Sequence, residues 1–481
     1  MPKSRIRILQ KQSRSLEPNK EQRAELMERS LNYGEKFMDS LSDQKAYQTF
    51  DHDHVHQLLE DPLREEPSEL NTVIEAIQQD IVPPGLNPAS GAHFGYIPGG
   101  GIFSSAVGDY LSALTNRYVG VYFSSPGAVV LETRLVNWMA GLIGFDKKAG
   151  GFLSSGGSIA NLTAVVTARE HAGLHSSDYS KAVVYLTKQT HHCVDKALNI
   201  SGMGDCVKRY IPMDDHFKMD VHELKKSIQK DREEKLIPWM IIASAGTTDT
   251  GAIDRLDEIG ESAKEQHLWY HIDAAYGGFF LLTKEGKQKL KGIDRADSVV
   301  LDPHKGLFLP YGTGALVVKN AEILANAHHY EANYMQDTKV EAGMYSPAEI
   351  SPELSKHFRG LRMWMPLKLH GVQAFRSALE EKLLLTQYAW ERLSEMEDIE
   401  VGPEPELTVF TFRWAPKINA DLDKLNQKLH QAMIEDGRVF LSTTRIEGEF
   451  RFRFAVLSVR SHLEEIELFF SVLKEKIDQI G

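Results

Sequence analysis

From residue 150 onward, short apolar runs alternate with longer helix-patterned stretches, which leaves few folds open to this chain. Alternation of this kind indicates βαβ units, which form a mostly parallel sheet covered by helices on both faces. Ligands of such sheets bind at the carboxyl ends of the strands. The predicted strands are Gly151–Ser154, Ala182–Leu186, Trp239–Ala245, Trp269–Asp273, Ser298–Leu301 and Thr313–Val318.

The stretches on either side of this alternation have a different character. Residues 18–60 are mostly polar with helix-spaced apolar positions, so we expect helices that pack against another surface, such as a partner subunit. From about residue 366, helical and strand-like runs mix, which indicates a separate α+β domain. The sequence predicts a helical segment over 1–85, a large domain over 86–365 and a small domain over 366–481.

Charge and cysteine content exclude several classes of function. The 481 residues carry a net charge of −12, so no nucleic-acid partner is predicted. Cys193 and Cys206 are too few for a disulfide scaffold or a cysteine zinc cluster; this fits a reducing compartment, and we expect a cytoplasmic protein. No apolar run reaches 18 residues, so neither a transmembrane helix nor a membrane partner is expected.

Two features near the N-terminus leave alternatives open. The basic first 16 residues lack the apolar segment of a secretory signal; they could form a transit peptide, but a frayed terminus is favoured. His52 and His56 share a helix face and could resemble a metal site. No third ligand is identifiable, so a solvated polar face is favoured and no metal site is predicted.

A single lysine, Lys305, lies between the predicted strand Ser298–Leu301 and the apolar run Gly306–Pro310. Loss of hydration there favours the neutral amine, which attacks aldehydes and forms Schiff bases. A surface lysine at a turn is the alternative for this residue taken alone. The flanking residues and the other strand ends favour the reactive amine.

Four more motifs lie at or just after the ends of predicted strands. Ser154–Ser158 (SSGGS) places two glycines before a helix, where backbone N–H groups can approach an anion. The motif at 190–192 (THH) offers an imidazole that can stack on a ring or move a proton, and 245–248 (AGTT) offers hydroxyls. Asp273 ends a buried strand and needs a cationic partner, and Ala275 leaves a methyl-sized surface suited to a ring.

These motifs together supply a phosphate cradle, a stacking imidazole, a carboxylate for a pyridinium nitrogen and an aldehyde-capturing lysine. Pyridoxal phosphate (PLP) needs all four, so PLP is the predicted cofactor. The glycine motif matches neither GxGxxG nor GxxxxGK[ST], so dinucleotide or nucleoside triphosphate binding is not indicated.

On these motifs the sequence resembles the group II PLP-dependent amino acid decarboxylases, which include aromatic amino acid, glutamate, histidine and diaminobutyrate decarboxylases. The matching segments are SSGGSIAN at 154–161, THH at 190–192, AGTTDTG at 245–251, HIDAAYGG at 271–278 and DPHKGL at 302–307, with SSP at 124–126 and FRGLRMW at 358–364.

The resemblance implies a fold-type I (aspartate aminotransferase-like) α/β fold. Its large domain would bind PLP on a mostly parallel seven-stranded sheet, followed by an α+β small domain, and its N-terminal helices would wrap the partner of a homodimer. The implied activity is decarboxylation of a small-molecule L-amino acid, with an aromatic one favoured, to the amine and carbon dioxide.

The resemblance also implies roles for individual residues. Lys305 would be the Schiff-base lysine, and His192 would stack over the cofactor ring. Asp273 would pair with the ring nitrogen, and Ala275 would lie against the ring. The residues implied at the phosphate or its surroundings are Gly157, Ser158, Thr248, Asp302 and His304.

The proton donor of the family is a tyrosine on a mobile loop between the lysine and the FRGLRMW segment. Counting back from that segment favours Tyr345, with Tyr334 and Tyr330 as alternatives. The polar stretch 328–353 suits a lid that excludes water.

The sequence departs from the family at two places that bear on substrate choice. Ser90-Gly91 stands where the family has a His-Pro pair. Gly306 stands where many members have a tryptophan, and we expect it to enlarge the site.

The residues leave the substrate and the outcome of the reaction open. An aromatic side chain could be accepted by Phe94, Tyr96 and Phe123, and an acidic one by Arg359 and Arg362, which could instead form ion pairs. Alternatives on the same scaffold are a carbon–carbon lyase, an aldehyde synthase and an aminotransferase. A PLP-binding protein without turnover is the alternative from a different class.

Overall fold

The computed structural model describes residues 2–60, 62–63, 65–329, 345–417 and 420–481. The helices are α1 (Pro2–Ser13), α2 (Lys20–Asp39), α3 (His52–His56), α4 (Leu70–Ala76), α5 (Phe103–Thr115), α6 (Pro126–Ile143), α7 (Gly157–His171), α8 (Cys193–Ile200), α9 (Val221–Glu233), α10 (Leu256–Gln266), α11 (Lys284–Lys289), α12 (Pro303–Gly306), α13 (Ala321–His328), α14 (Gly360–Ser394), α15 (Leu422–Asp436) and α16 (Leu463–Ile480). The strands are β1 (Tyr47–Gln48), β2 (Gly85–Leu86), β3 (Gly150–Ser154), β4 (Ala182–Leu186), β5 (Val207–Tyr210), β6 (Ile237–Ser244), β7 (Trp269–Asp273), β8 (Ser298–Leu301), β9 (Gly314–Val318), β10 (Ile399–Val401), β11 (Val409–Trp414), β12 (Ser442–Ile446) and β13 (Glu449–Ala455).

Within the described residues, seven strands form the central sheet in the order β3-β9-β8-β7-β6-β4-β5. Strand β9 is antiparallel to both of its neighbours, and the remaining pairs are parallel. Strands β4, β7, β8 and β9 are buried along their whole length, because helices cover both faces of the sheet. The carboxyl ends of β3, β4, β6, β7 and β8 therefore meet at one edge, as the sequence predicts.

Strand β5 is missing from the sequence prediction. Its four residues, Val207–Tyr210, are half-buried or exposed at the edge of the sheet and include a lysine and an arginine. An edge strand tolerates such charges, so its sequence lacks the continuous apolar run of the central strands.

A second sheet lies in the C-terminal part of the chain, where the sequence predicts an α+β domain. Four antiparallel strands in the order β10-β11-β13-β12 pack against α15 and α16. Phe94 from the predicted large domain lies in the same core, with its ring 4.7 Å from that of Phe454. Helix α14 runs across the predicted boundary at 365/366 and is broken at Gly371 (φ +70°). The packing thus crosses the predicted boundaries, which stay predictions.

The strap, residues 91–99, passes between the C-terminal sheet and the large domain. A Cβ on Gly91 would lie 2.3 Å from the carbonyl oxygen of Arg460. A Cβ on Gly99 would lie 2.6 Å from the carbonyl oxygen of His304, next to the predicted reactive lysine. Both positions require glycine because backbone atoms occupy the space that a side chain would need.

The N-terminal helices are poorly covered by the rest of the described chain. Neither α1 nor α2 has a buried residue; that this segment packs on another surface stays a prediction. Helix α5 likewise exposes Phe103, Tyr110, Leu111 and Leu114. Across the described residues, none of the helices combines the length and apolar character needed to span a membrane.

Candidate active site

A cavity of about 300 Å³ lies at the edge of the central sheet where the carboxyl ends of the strands meet. Its wall contains most of the predicted site residues: Gly157, Ser158, Thr248, Asp273, Ala275, Asp302, His304 and Lys305. Strand β8 leads into α12, which carries Lys305, and β3 leads into α7, which carries Gly157 and Ser158. The sequence motifs thus meet in space because their strands are neighbours in the sheet.

Lys305 lies on the cavity wall with 24% of its side chain exposed. Its Nζ is 3.3 Å from Oδ2 of Asp302, whose side chain is 3% exposed. The same carboxylate oxygen is 3.7 Å from Nε2 of His304. The amine thus has a buried carboxylate beside it in addition to the apolar run Gly306–Pro310.

Asp273 ends β7 as a buried carboxylate. Its Oδ2 accepts a hydrogen bond from Nδ2 of Asn161 at 3.2 Å, and its Oδ1 accepts one from the N–H of Ala275 at 3.1 Å. Among the described residues, no cationic side chain forms an ion pair with it. A buried carboxylate of this kind needs a positive partner, and a protonated pyridine nitrogen is one.

The glycine turn before α7 is shaped for an anion. Gly156 (φ +156°) occupies the N-cap position, and no side chain of the described residues caps the helix. Ser158 lies within the helix, so capping does not explain it. A Cβ on Gly157 would lie 2.9 Å from Oδ2 of Asp302 and 3.4 Å from Cβ of Ala275. Because Gly157 has no side chain, it leaves this space beside Asp302 and Ala275 open. The N–H groups of the first turn of α7 have no partner within the helix and can donate to a phosphate.

His191, rather than the predicted His192, lies in the cavity wall. His191 is half-buried, whereas His192 is exposed and forms the N-cap of α8. Burial lowers the pKa of His191, with the nearby Asp273 carboxylate acting in the opposite direction. Nδ1 of His191 accepts the N–H of Cys193 at 3.3 Å, which assigns the proton of the neutral ring to Nε2. The backbone conformation of the turn that leads into α8 determines which of the two histidines lines the cavity. The THH motif alone does not reveal this conformation.

Sequence reasoning missed Asn161 and Arg453. Asn161 lies on α7 four residues after Gly157, and an i, i+4 argument along the helix could have placed both in the cavity wall. Arg453, which is buried, comes from β13 of the C-terminal sheet. Its guanidinium donates to the carbonyl oxygens of Thr248 and Tyr96, so it ties the cavity wall to the strap. No motif signals a contact between residues 205 positions apart in the chain.

The predicted proton donor is not among the residues of the cavity wall. Tyr345 is 40% exposed and lies just before a turn at Pro347–Glu349. Tyr330 and Tyr334 lie outside the described residues. The assignment to Tyr345 stays a prediction.

The candidate residues for an aromatic substrate separate in the structure. Phe94 is fully buried in the core of the C-terminal sheet. Tyr96 and Phe123 are 56% and 71% exposed, and Tyr96 is connected to the cavity wall through Arg453. Gly306 does not enlarge the site as predicted: a Cβ there would lie 2.7 Å from Cβ of Phe279, so this glycine faces the core.

Both candidate arginines for an acidic substrate are paired within the protein. Arg359 donates two hydrogen bonds of 2.9 Å to the carboxylate of Glu353. Arg362 binds Asp109, with its Nε 2.9 Å from Oδ1. The structure thus contains the ion pairs that the sequence left as an alternative.

The fold and the cavity together define a PLP-dependent enzyme of fold type I. The sequence model of the pyridoxal-dependent decarboxylase conserved domain matches residues 53–415. An aromatic-L-amino-acid decarboxylase of Bacillus atrophaeus is 32% identical over 92% of this chain and 93% of that protein. A phenylacetaldehyde synthase of Arabidopsis thaliana is 26% identical over 86% and 87% of the two chains. The crystal structure of Oryza sativa TDC with PLP and tryptamine has the same fold, with a TM-score of 0.90, 21% identity and coverage of 96% and 99%.

The chain therefore belongs to the pyridoxal-dependent decarboxylase family. This membership confirms the predicted cofactor, PLP, and the predicted activity, amino acid decarboxylation by a PLP-dependent carboxy-lyase. The residues present fit the cofactor: a buried carboxylate without a cation, an open helix N-terminus and an amine face one cavity.

Proposed function

We propose that the protein decarboxylates an aromatic L-amino acid to the corresponding amine and carbon dioxide. The observation that carries this proposal is one cavity lined by Lys305, Asp273 and His191, next to a glycine turn suited to a phosphate. Both arginines that could have recognised an acidic side chain are used in ion pairs, which favours an aromatic substrate over an acidic one. Relatives that are aromatic-L-amino-acid decarboxylases agree with this choice.

Eight residues of the wall have a proposed task toward the cofactor. The amine of Lys305 would hold the cofactor through its aldehyde group. Asp273 would pair with the ring nitrogen, and Ala275 would lie against the ring. The residues that would hold the phosphate or its surroundings are Gly157, Ser158, Thr248, Asp302 and His304. Bound PLP supplies the conjugated ring that accepts the electron pair of the broken bond.

The ring-stacking role predicted for His192 belongs, in this proposal, to His191. Its half-buried imidazole borders the same cavity as Asp273 and Lys305, whereas His192 is exposed and is not among the residues that line this cavity. With Nδ1 occupied by the Cys193 N–H, Nε2–H remains as a donor for the substrate carboxylate before it leaves.

Tyr345 stays the predicted donor of the proton that replaces the carboxylate on the α-carbon. A Tyr345→Phe variant should lose amine production while keeping PLP. Full amine production by this variant would contradict the assignment.

An aldehyde synthase is the second candidate, because phenylacetaldehyde synthases are among the relatives of similar length. The two activities differ in their products: a decarboxylase releases amine and carbon dioxide, whereas the synthase consumes O₂ and water and releases aldehyde, ammonia and hydrogen peroxide along with carbon dioxide. A panel of amino acids assayed for all of these products and for carbon dioxide tests the proposal, with Lys305→Ala as the control that cannot anchor PLP. Aromatic amines should appear first; turnover of acidic substrates alone, or no product at all, would overturn it.

Assembly and location complete the proposal. The unburied helices α1 and α2 and the exposed apolar residues of α5 support a homodimer in which these surfaces cover each other. Light scattering on a size-exclusion column should give twice the chain mass of 54.2 kDa. Two free, buried cysteines support a reducing compartment, the cytoplasm.

A further inference from the structure

A line of hydrogen-bonded side chains runs from Asp273 away from the cavity into the sheet. Nδ2 of Asn161 is 3.2 Å from Oδ2 of Asp273, and its Oδ1 is 2.8 Å from Nε2 of His271. Nδ1 of His271 is 2.8 Å from Oγ of Ser298, which is 2.9 Å from Nε1 of Trp269. All five side chains are buried, and four of them come from the paired strands β7 and β8; Asn161 comes from α7.

Chemistry fixes the direction of every hydrogen bond in this line. Oδ1 of Asn161 can only accept, so Nε2 of His271 carries a proton and donates to it. Burial lowers the pKa of His271 to about 4, so the ring is neutral at pH 7 and its Nδ1 carries no proton. Nδ1 therefore accepts from the hydroxyl of Ser298, whose Oγ accepts in turn from the indole N–H of Trp269.

The orientation of the Asn161 amide has independent support. Its Nδ2 also donates to the carbonyl oxygen of Gly157 at 3.0 Å, and a carbonyl can only accept. The amide nitrogen therefore faces Gly157 and Asp273, and the amide oxygen faces His271. A single side chain thus connects the carboxylate to the glycine turn.

We propose that Asn161 and His271 are positioning residues that hold the Asp273 carboxylate as an anion directed at the cofactor ring nitrogen. Each donor in the line is polarised by the one behind it, and all of them end on the carboxylate, so the line stabilises its charged form. This inference rests on the proposed role of Asp273 toward PLP. A core histidine that merely satisfies its own hydrogen bonds is the competing interpretation.

The test is the protonation of the ring nitrogen, which does not require turnover. Wild type and variants are loaded with PLP labelled with ¹⁵N in the ring, and solid-state NMR reports whether that nitrogen carries a proton. His271→Phe keeps an aromatic ring and removes both ring nitrogens, so the signal should move toward the unprotonated position and kcat should fall about 2- to 12-fold, the loss expected for one neutral hydrogen bond. His271→Gln, whose amide can both donate and accept, should retain most of the wild-type signal.

Two further variants keep the inference falsifiable if His271→Phe does not fold. Ser298→Ala removes only the hydroxyl that orients His271 and should give a smaller shift in the same direction. Tyr185→Phe is the matched control: it removes a buried 2.9 Å hydrogen bond, to Asp231, outside the cavity wall, and should destabilise the protein without moving the signal. Unchanged ¹⁵N signals in folded His271→Phe and Ser298→Ala would overturn the inference.

Asp273→Asn separates this inference from the proposed function. If the ¹⁵N signal of Asp273→Asn equals that of the wild type, the proposed role of Asp273 itself is wrong. If Asp273→Asn moves the signal and His271→Phe and Ser298→Ala do not, the role of Asp273 stands and the line of side chains is only structural.

Discussion

Replacing His191 with alanine, beside the same change at His192, tests which imidazole covers the cofactor. The two residues are neighbours, and their ring centroids are only 4.1 Å apart, so composition and local charge change equally in the two variants. Only His191 borders the cavity, whereas His192 is exposed. A difference between the variants therefore reports contact with PLP.

The size of the effect follows from the contact that is lost. An aromatic pair contributes about 0.5–1.5 kcal/mol beyond area burial, which corresponds to a roughly 2- to 12-fold increase in the Kd for PLP. His191→Ala should show this increase together with a large loss of kcat, because the Nε2–H donor is lost as well. His192→Ala should leave the Kd within about twofold, as expected for a change at an exposed position.

Each apoenzyme is titrated with PLP, and the quenching of its intrinsic fluorescence gives the Kd. His191→Phe keeps a stacking ring without a nitrogen donor, so it should retain the wild-type Kd and still lose kcat. A weaker Kd for His192→Ala than for His191→Ala would refute the assignment, whatever the effect on turnover.

Three further predictions concern stability. Gly314→Ala should lower the free energy of unfolding by about 1–3 kcal/mol and weaken PLP binding, because its Cβ would lie 2.5 Å from the carbonyl carbon of Gly156 in the glycine turn before α7. Thermal shift measures the stability and titration with PLP measures the Kd. An unchanged melting temperature would contradict this prediction. Glu132→Leu should cost about 3–5 kcal/mol in urea unfolding, since it leaves the buried ammonium of Lys356 without the carboxylate 2.8 Å away, and adding Lys356→Met should recover most of that loss. Because the pKa of His271 is lowered to about 4, the unfolded chain binds more protons between pH 4 and 6.5; acidification across this range should cost about 3 kcal/mol, a slope that His271→Gln removes in urea unfolding at several pH values.

The parts of the fold that the sequence predicted are those whose physics is local. Continuous apolar runs such as Ser298–Leu301 can exist only where both faces of a strand are covered, so the central strands are readable from composition alone. Edge strand β5 has no such requirement and was missed. The sequence offers Phe94 as a candidate pocket residue because the sequence does not distinguish an aromatic side chain that faces a cavity from one that faces a core.

The motifs that form the site were predictable from the sequence. Which side chain of a motif lines the cavity was less predictable. Asp273 ends β7 and Lys305 lies in α12, just after the end of the neighbouring strand β8, so the order of strands brings them together. The choice between His191 and His192 depends on one turn of backbone. Arg453 reaches the cavity wall from another sheet, which no local pattern encodes.

The strap has a consequence for how this sequence can vary. Gly91 and Gly99 lie outside the cavity wall, yet a Cβ at either position would meet a backbone carbonyl oxygen that can move only if its loop moves. At Gly99 that loop includes the carbonyls of His304 and Lys305, so a methyl group there would displace the amine indirectly. In a library of single substitutions screened for colour after PLP loading, these two codons should tolerate change as poorly as the codon for Lys305 itself. The positions that do not tolerate substitution would thus include the glycines of the strap as well as the residues that contact the cofactor.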